Sequence, residues 1–211
     1  MKLTRNRIIG LLLLVALSHA AAQNEDDRVQ QLYSKAQTDE KEGRLGQATE
    51  DYLEMIRLRP RLAAAHNNLG RLYYQQGKLS EAVESLSNAC KLDPKLAPPR
   101  ALLGFVLFQM GDFSAARREL ETATKLNPRD SNTRLFLARS MIELQELKGA
   151  LTVLEKLQGE DPNNPEVLFT LGGVYSALAE SAIGKIQQVD PNSYLIEVLL
   201  GRYAEVKQIY R

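Results

Sequence analysis

The chain repeats a pattern of small residues every 34 positions. Two series keep this spacing through most of its 211 residues: Pro60, Pro94, Pro128 and Pro162, and Ala48, Ala82, Ala116 and Ala150. Each interval contains two apolar stripes at helical spacing, and the proline follows the second stripe. The pattern therefore predicts units of helix, turn and helix. One such unit cannot bury its apolar face alone, so neighbouring units must cover it.

This repeat divides the chain into segments with predicted boundaries. They are residues 1–22 for a signal peptide, 23–28 for a polar segment, 29–62, 63–96, 97–130 and 131–164 for four repeats, 165–191 for a degenerate repeat formed by one long helix, and 192–211 for an incomplete C-terminal repeat or helix.

Small residues have three expected roles within a unit. A glycine on the first helix admits the second helix at close range, a glycine between the helices forms the turn, and an alanine on the second helix faces the helix crossing. In the second and third units these residues are Gly70 and Gly104, Gly77 and Gly111, and Ala82 and Ala116, in that order.

The second unit has small residues at positions 8, 15, 20 and 27 and proline at position 32: Gly70, Gly77, Ala82, Ala89 and Pro94. This arrangement resembles the tetratricopeptide repeat (TPR) family, whose period is also 34 residues. The third unit matches as well, whereas the first departs at Met55 and the fourth at Gln145 and Leu157. The resemblance covers about residues 29–191 and implies an all-α fold, a right-handed superhelical solenoid of helix-turn-helix repeats.

The segment after Pro165 breaks the repeat. Its closing proline, Pro191, comes five residues before position 196, where the period would place it, and the turn glycine is missing. One apolar stripe continues through the expected turn: Leu168, Leu171, Tyr175, Leu178, Ala182, Ile186 and Val189. We therefore expect a single helix from about Pro165 to Val189, roughly 37 Å long.

The end of the chain has two interpretations. The sequence "GRYAEVKQIY" matches part of a second helix, whereas Leu200 and Gly201 match the Leu-Gly pair of a first helix. In either case no following repeat covers an apolar stripe formed by Tyr194, Leu195, Val198, Leu199 and Ile209. Uncovered apolar surface favours association, so self-association through the C-terminal end, or docking of a longer natural partner there, is expected.

The first 22 residues have the layout of a secretory signal peptide. Lys2, Arg5 and Arg7 precede an apolar run from Ile8 to Leu17, which is followed by small residues suited to cleavage. Cleavage would leave Gln23, or alternatively Ala21, as the first residue, and the competing interpretation is an uncleaved membrane tether. The sequence thus predicts a periplasmic or secreted protein with no integral membrane span after signal removal.

The charge of the remaining chain argues against nucleic acid as a partner. Because residues 1–22 contain three basic and no acidic residues, removing them leaves 24 Lys and Arg against 26 Asp and Glu, a net charge of −2. There is no run of Lys or Arg that would bind a phosphate backbone.

We find no pattern typical of an enzyme. Cys90 is the only cysteine and is expected to be a small, half-buried apolar residue, although an intermolecular disulfide or a reactive thiol is the alternative. His66 is expected to fill the core or its edge. No catalytic residue, cofactor-binding residue or metal site is expected, because catalytic and metal-ligand spacings are absent.

The sequence therefore favours a noncatalytic protein–protein interaction scaffold of the cell envelope or secreted space. In this interpretation, a concave groove made by the first helices holds a peptide or protein segment. The alternative is a regulatory or structural arm of an envelope enzyme or assembly complex.

The candidate groove residues follow from helical geometry. At 100° per residue, positions 2, 5, 6, 9, 12 and 13 of each first helix lie opposite the packed positions. These positions contain Asn67, Asn68, Arg71 and Tyr74 in the second repeat, Phe105 and Phe108 in the third, and Phe136 and Arg139 in the fourth. The alternative role of the phenylalanines is packing between repeats. TPR grooves that bind a C-terminal carboxylate use a lysine that these positions lack.

Overall fold

A computed structural model describes residues 23–209, and the side chains of residues 23–201. The expected signal peptide lies outside the described residues. Every regular element in the described range is a helix: α1 (residues 23–41), α2 (Leu45–Leu58), α3 (Ala63–Gln75), α4 (Leu79–Leu92), α5 (Ala97–Gln109), α6 (Phe113–Leu126), α7 (Ser131–Glu143), α8 (Leu147–Glu160), α9 (Pro165–Val189) and α10 (Tyr194–Ile209). The all-α prediction is confirmed.

The chain forms two compact units, one up to Leu103 and one from Gly104. In the N-terminal unit, α3 packs on α2 and α4; in the C-terminal unit, consecutive helices pack from α6 to α10. Each unit has its own apolar core, which contains Leu32, Tyr52, Leu69 and Leu72 in the first, and Leu135, Leu154, Leu171 and Val174 in the second.

The turns within the repeats confirm the predicted role of glycine. Gly43, Gly77 and Gly111 have φ of +75°, +73° and +82°, which is the left-handed region that side chains disfavour. The fourth repeat makes the same turn with Gln145 at φ +61°. A residue with a Cβ in this region is strained by about 1–2 kcal/mol, so the departure from the family pattern at Gln145 has an energetic cost.

The close approach of paired helices is also confirmed. A Cβ added to Gly70 would lie 2.6 Å from Leu86 Cγ, and one added to Gly104 would lie 2.5 Å from Leu120 Cγ. These distances are too short for a real contact, so only glycine fits. The alanines at the helix crossings, Ala82 and Ala116, are fully buried.

Helix α9 is continuous from Pro165 to Val189. Its first turn is well specified, because the Asn164 side chain accepts hydrogen bonds from the Glu166 and Val167 amides at 3.1 and 3.2 Å, and proline suits the first helical position.

The apolar stripe of α9 indicated one continuous helix, which is confirmed, but the stripe does not coincide with the buried face of that helix. The buried residues are Val167, Thr170, Leu171, Val174 and Ile183. Leu168, Tyr175, Ala182 and Val189 are exposed. The packed face differs from the stripe because α9 packs on α8 through Val167, Leu171 and Val174.

Helix α9 is also long and apolar enough to cross a membrane by length and composition, with a mean hydropathy of 1.3 over its most apolar window. About a quarter of that window, 28%, is buried in the protein. The expectation that no segment spans a membrane after signal removal therefore stays a prediction.

The structure shows the burial and contacts of Cys90 and His66, two residues discussed in the sequence analysis. Cys90 is buried, more deeply than expected. His66 is half-buried, and its Nε2 donates to the Pro60 carbonyl oxygen at 2.9 Å, which ties the start of α3 to the preceding turn.

Candidate peptide-binding surface

The C-terminal unit contains a cleft of about 430 Å³ between three first helices. Its walls are formed by Phe108 of α5, by Arg139, Ile142 and Glu143 of α7, and by Phe169, Thr170 and Gly173 of α9. We call this surface the aromatic cleft. Because α5, α7 and α9 each begin a repeat, the cleft lies on the face of the first helices on which the sequence placed the candidate groove residues.

Three phenylalanines form a packed group next to the cleft. The ring centroids of Phe105 and Phe136 are 4.6 Å apart, and those of Phe108 and Phe136 are 5.5 Å apart with the rings nearly perpendicular. All three rings also contact a small core made by Ala116, Leu120 and Leu137. These rings therefore pack within the unit, and Phe108 additionally presents surface to the cleft.

Sequence reasoning identified Phe108 and Arg139 but missed the other five cleft residues, among which Phe169 is the aromatic one. Its side chain is 83% exposed, although it is a large apolar residue on the wall of a concave surface. It is residue 5 counted from Pro165, one of the groove positions used for the other repeats. The irregular spacing after Pro165 argued against extending the repeat numbering to α9. Numbering the first-helix positions from Pro165 would nevertheless have identified Phe169.

Charged groups surround the apolar part of the cleft. The Arg139 guanidinium lies 5.3 Å from the Phe136 ring centroid, a cation–π distance, and Arg139 Nη2 lies 3.1 Å from Glu166 Oε2. Glu143 is exposed on the same wall. Because Arg139 already contacts a carboxylate of its own chain, a ligand carboxylate would have to compete with Glu166.

The candidate residues of α3 lie in the N-terminal unit and form a polar surface there. Arg71 Nη2 donates to Glu40 Oε2 at 2.6 Å, and the Tyr52 hydroxyl donates to Glu40 Oε1 at 2.7 Å. Asn67 donates to the Asn68 side chain at 3.4 Å, and Tyr74 is half-buried. Arg71 is thus paired within the unit, as Arg139 is in the other.

On this polar surface, the pKa of the Tyr52 hydroxyl is shifted by its surroundings. Burial raises the pKa of Tyr52 well above its ordinary value, and the hydrogen bond to Glu40 raises it further. In the part of the chain that the structure describes, no group of three or more His, Cys, Asp or Glu side chains is arranged to hold a metal ion.

Comparison with known protein families decides the classification. A family model described as TPR repeat matches residues 41–77 and 70–111, and one described as tetratricopeptide repeat matches residues 107–171. The chain belongs to the tetratricopeptide repeat family. No curated protein sequence matches significantly.

Solved structures of TPR proteins have a similar fold. The MamA protein is 22% identical over 70% of this chain and 81% of its own, with a TM-score of 0.67. YrrB, described as a TPR protein with an unusual peptide-binding site, is 19% identical over 79% of this chain and 88% of its own, with a TM-score of 0.65. The first TPR domain of Spaghetti (RPAP3), solved with the HSP90 peptide SRMEEVD, is 25% identical over 56% of this chain and 93% of its own, with a TM-score of 0.53.

Proposed function

We propose that this TPR protein is a noncatalytic interaction scaffold that binds a peptide or protein segment in the aromatic cleft. The observation that carries the proposal is Phe169, which is 83% exposed and lines the same cleft as Phe108 and Ile142. Large aromatic side chains on concave surfaces are typical anchors of binding energy. When a ligand covers such a ring, apolar surface is removed from water and the complex is stabilised.

The comparisons support a role in peptide binding. YrrB and the RPAP3 domain are both described with peptide sites or ligands, and both have the repeat fold of this chain. A repeat array presents its first helices in succession, which suits a segment of another protein better than a small metabolite.

The lining of the cleft indicates the chemistry of the bound segment. Phe108, Ile142 and Phe169 suit a large apolar side chain, and Gly173 leaves room for it because a Cβ there would contact nothing within 4 Å. Arg139, Glu143 and Glu166 suit polar neighbours of that side chain. We therefore propose a segment in which one apolar anchor is flanked by polar residues.

The proposal is tested by comparing partners of three versions of residues 23–211. Proteins captured by the wild-type chain from an envelope extract are identified by mass spectrometry, and peptides from them are titrated by isothermal calorimetry. Phe169→Ala should weaken binding at least fivefold, about 1 kcal/mol. Val189→Ala is the matched control, because Val189 is 87% exposed on the same helix outside the cleft. Partners that bind Phe169→Ala at wild-type affinity would place the site elsewhere.

We further propose that the scaffold acts in the periplasm or outside the cell. The support is the order of charge, apolar run and small residues in residues 1–22. N-terminal sequencing of exported protein should return Gln23 or Ala21, and a chain that retains Met1 would contradict cleavage.

A further inference from the structure

Glu143 carries a charge that is left without a partner on the wall of the aromatic cleft. It is the last residue of α7, and its side chain is exposed. Among the side chains of residues 23–201, no Lys, Arg or His forms an ion pair with it. The equivalent residues of α3 and α5 are Gln75 and Gln109, so the repeat itself does not require a carboxylate at this position.

Arg139 lies one turn before Glu143 on α7 but pairs with another helix. Its Nη2 lies 3.1 Å from Glu166 Oε2 of α9, and its guanidinium lies 5.3 Å from the Phe136 ring centroid. A basic residue four positions before an acidic one is also the weaker order for an ion pair along a helix. The contact with Glu166 therefore uses Arg139 and leaves Glu143 as the unpaired charge of the cleft.

The position of Glu143 is unfavourable for the folded chain. The carbonyl end of a helix has a partial negative charge, which a carboxylate opposes, and the last turn of α7 contains no basic residue to offset it. Glu166 differs, because it lies in the first turn of α9, where negative charge is favoured. Residues that break such a local rule on the wall of a binding surface are typical of functional sites.

We propose that the aromatic cleft takes a segment in which a lysine or arginine stands next to the apolar anchor, and that Glu143 selects this residue. The inference rests on the proposed binding function of the cleft and adds the sign of the charge that it recognises. Arg139, Glu143 and the adjoining Glu166 together contribute one positive and two negative charges. A cation on the segment brings the assembled site to neutrality.

An acidic residue on the segment is the competing chemistry, because Arg139 could attract it. Such a residue would have to displace Glu166 from Arg139, whose side chain is only 28% exposed. It would also add a third carboxylate to a site that already has two, and like charges at an interface are unfavourable. A basic residue meets the exposed Glu143 carboxylate with no pair to break.

Selection from a library of capped peptides tests the sign of the charge without a known partner. Each peptide has one phenylalanine or leucine fixed at its centre and random residues on both sides, and both ends are blocked so that no terminal charge contributes. The wild-type chain of residues 23–211 should enrich Lys or Arg next to the anchor. Glu143→Lys should enrich Asp or Glu there instead.

The same selection separates this inference from the proposed function. Peptides that need Phe169 but show no preference for basic neighbours, or prefer acidic ones, would overturn the inference and leave the binding function of the cleft standing. If no peptide is enriched, or if Phe169→Ala enriches the same peptides as the wild type, the proposed function and the inference both fail.

Calorimetric titration of a selected basic peptide measures the contribution of Glu143. Glu143→Gln should weaken binding about three- to fivefold, and the loss should vanish for a peptide with glutamine in place of the basic residue. Glu155→Gln is the matched control, because it removes an exposed carboxylate of α8 outside the cleft. Equal weakening by both variants would show that only net charge matters and would contradict selection by Glu143.

Thermal unfolding without peptide tests whether Glu143 has a structural role instead. Because its carboxylate is unpaired at the carbonyl end of α7, Glu143→Gln should unfold at or above the wild-type temperature. A lower unfolding temperature would show that Glu143 stabilises its own chain, and the proposal would fail.

Discussion

The first helices of the two units present different chemistry at equivalent repeat positions. In the N-terminal unit, Glu40 accepts hydrogen bonds from both Arg71 and Tyr52, and it is only 14% exposed. In the C-terminal unit, Arg139 contacts Glu166, which is 63% exposed, and the remaining surface is aromatic. Glu40, Arg71 and Tyr52 satisfy one another in the first unit, whereas the second unit leaves apolar surface exposed. One repeat frame thus supports a closed polar surface and an open apolar surface.

The largest expected effect is the loss of Glu40. Glu40→Ala leaves the buried Tyr52 hydroxyl and the Arg71 guanidinium without their shared acceptor, which should lower the free energy of unfolding by about 2–3 kcal/mol. Urea denaturation followed by circular dichroism measures the change.

The matched variant in the other unit is Glu166→Ala. Because the Arg139–Glu166 pair is largely exposed, its loss should change stability by less than about 1 kcal/mol. Equal losses for Glu40→Ala and Glu166→Ala would remove the distinction between a closed and an open surface.

The second prediction separates packing from binding within the C-terminal unit. Phe136→Ala removes the ring that contacts both Phe105 and Phe108, and should lower stability by about 2 kcal/mol. Phe169→Ala should change stability by less than about 0.5 kcal/mol, because the ring is exposed. Truncation of Phe105 or Phe108 is expected to weaken binding as well, but their contacts mean that it also destabilises the unit. Thermal unfolding and peptide titration of the same samples measure both effects, and a strongly destabilised Phe169→Ala would show that its ring packs in the core.

The third prediction concerns alkaline pH and the N-terminal unit. The pKa of Tyr52 is raised in the folded protein, so its contribution to stability is present below the ordinary tyrosine pKa of 10.0 and is lost as the pH rises towards the folded value. Above about pH 10 the stability advantage of the wild type over Tyr52→Phe should shrink by at most about 1.4 kcal/mol per pH unit. Urea denaturation at a series of pH values measures it.

Tyr175→Phe is the control for this titration. Slight burial and the Glu155 carboxylate raise the pKa of Tyr175 too, but its hydroxyl lies 3.4 Å from Glu155 on an exposed surface, so removing it should leave the alkaline limb nearly unchanged in comparison. If Tyr52→Phe also leaves that limb unchanged, Tyr52 titrates normally and is not closed off from solvent.

Local rules were enough to predict the repeat fold. Glycine turns, close glycine contacts and buried alanines depend on backbone geometry within one unit, and Gly77, Gly70 and Ala82 show each of them. The groove residues were harder, because their roles depend on which partner each side chain finds. Helical geometry could place Arg71 on a surface, but not its partner. Arg71 pairs with Glu40, which is 31 residues away in the sequence and belongs to the preceding repeat. The buried face of α9 was not predicted either, since it is set by packing on α8.

The smallest expected effect concerns the turn beside the aromatic cleft. Both units use the same left-handed turn between helices, but Gly77 makes it without strain in the first, and Gln145 makes it with a side chain in the second. Gln145→Gly should raise the free energy of unfolding by up to about 1 kcal/mol, or the thermal midpoint by about 2–4 °C. Gln145→Ala is the decisive control, because it removes the side-chain atoms beyond Cβ but keeps the strained Cβ. Calorimetry should show a gain for glycine alone; an equal gain for alanine would mean that the long side chain, and not the backbone conformation, limits stability at this turn.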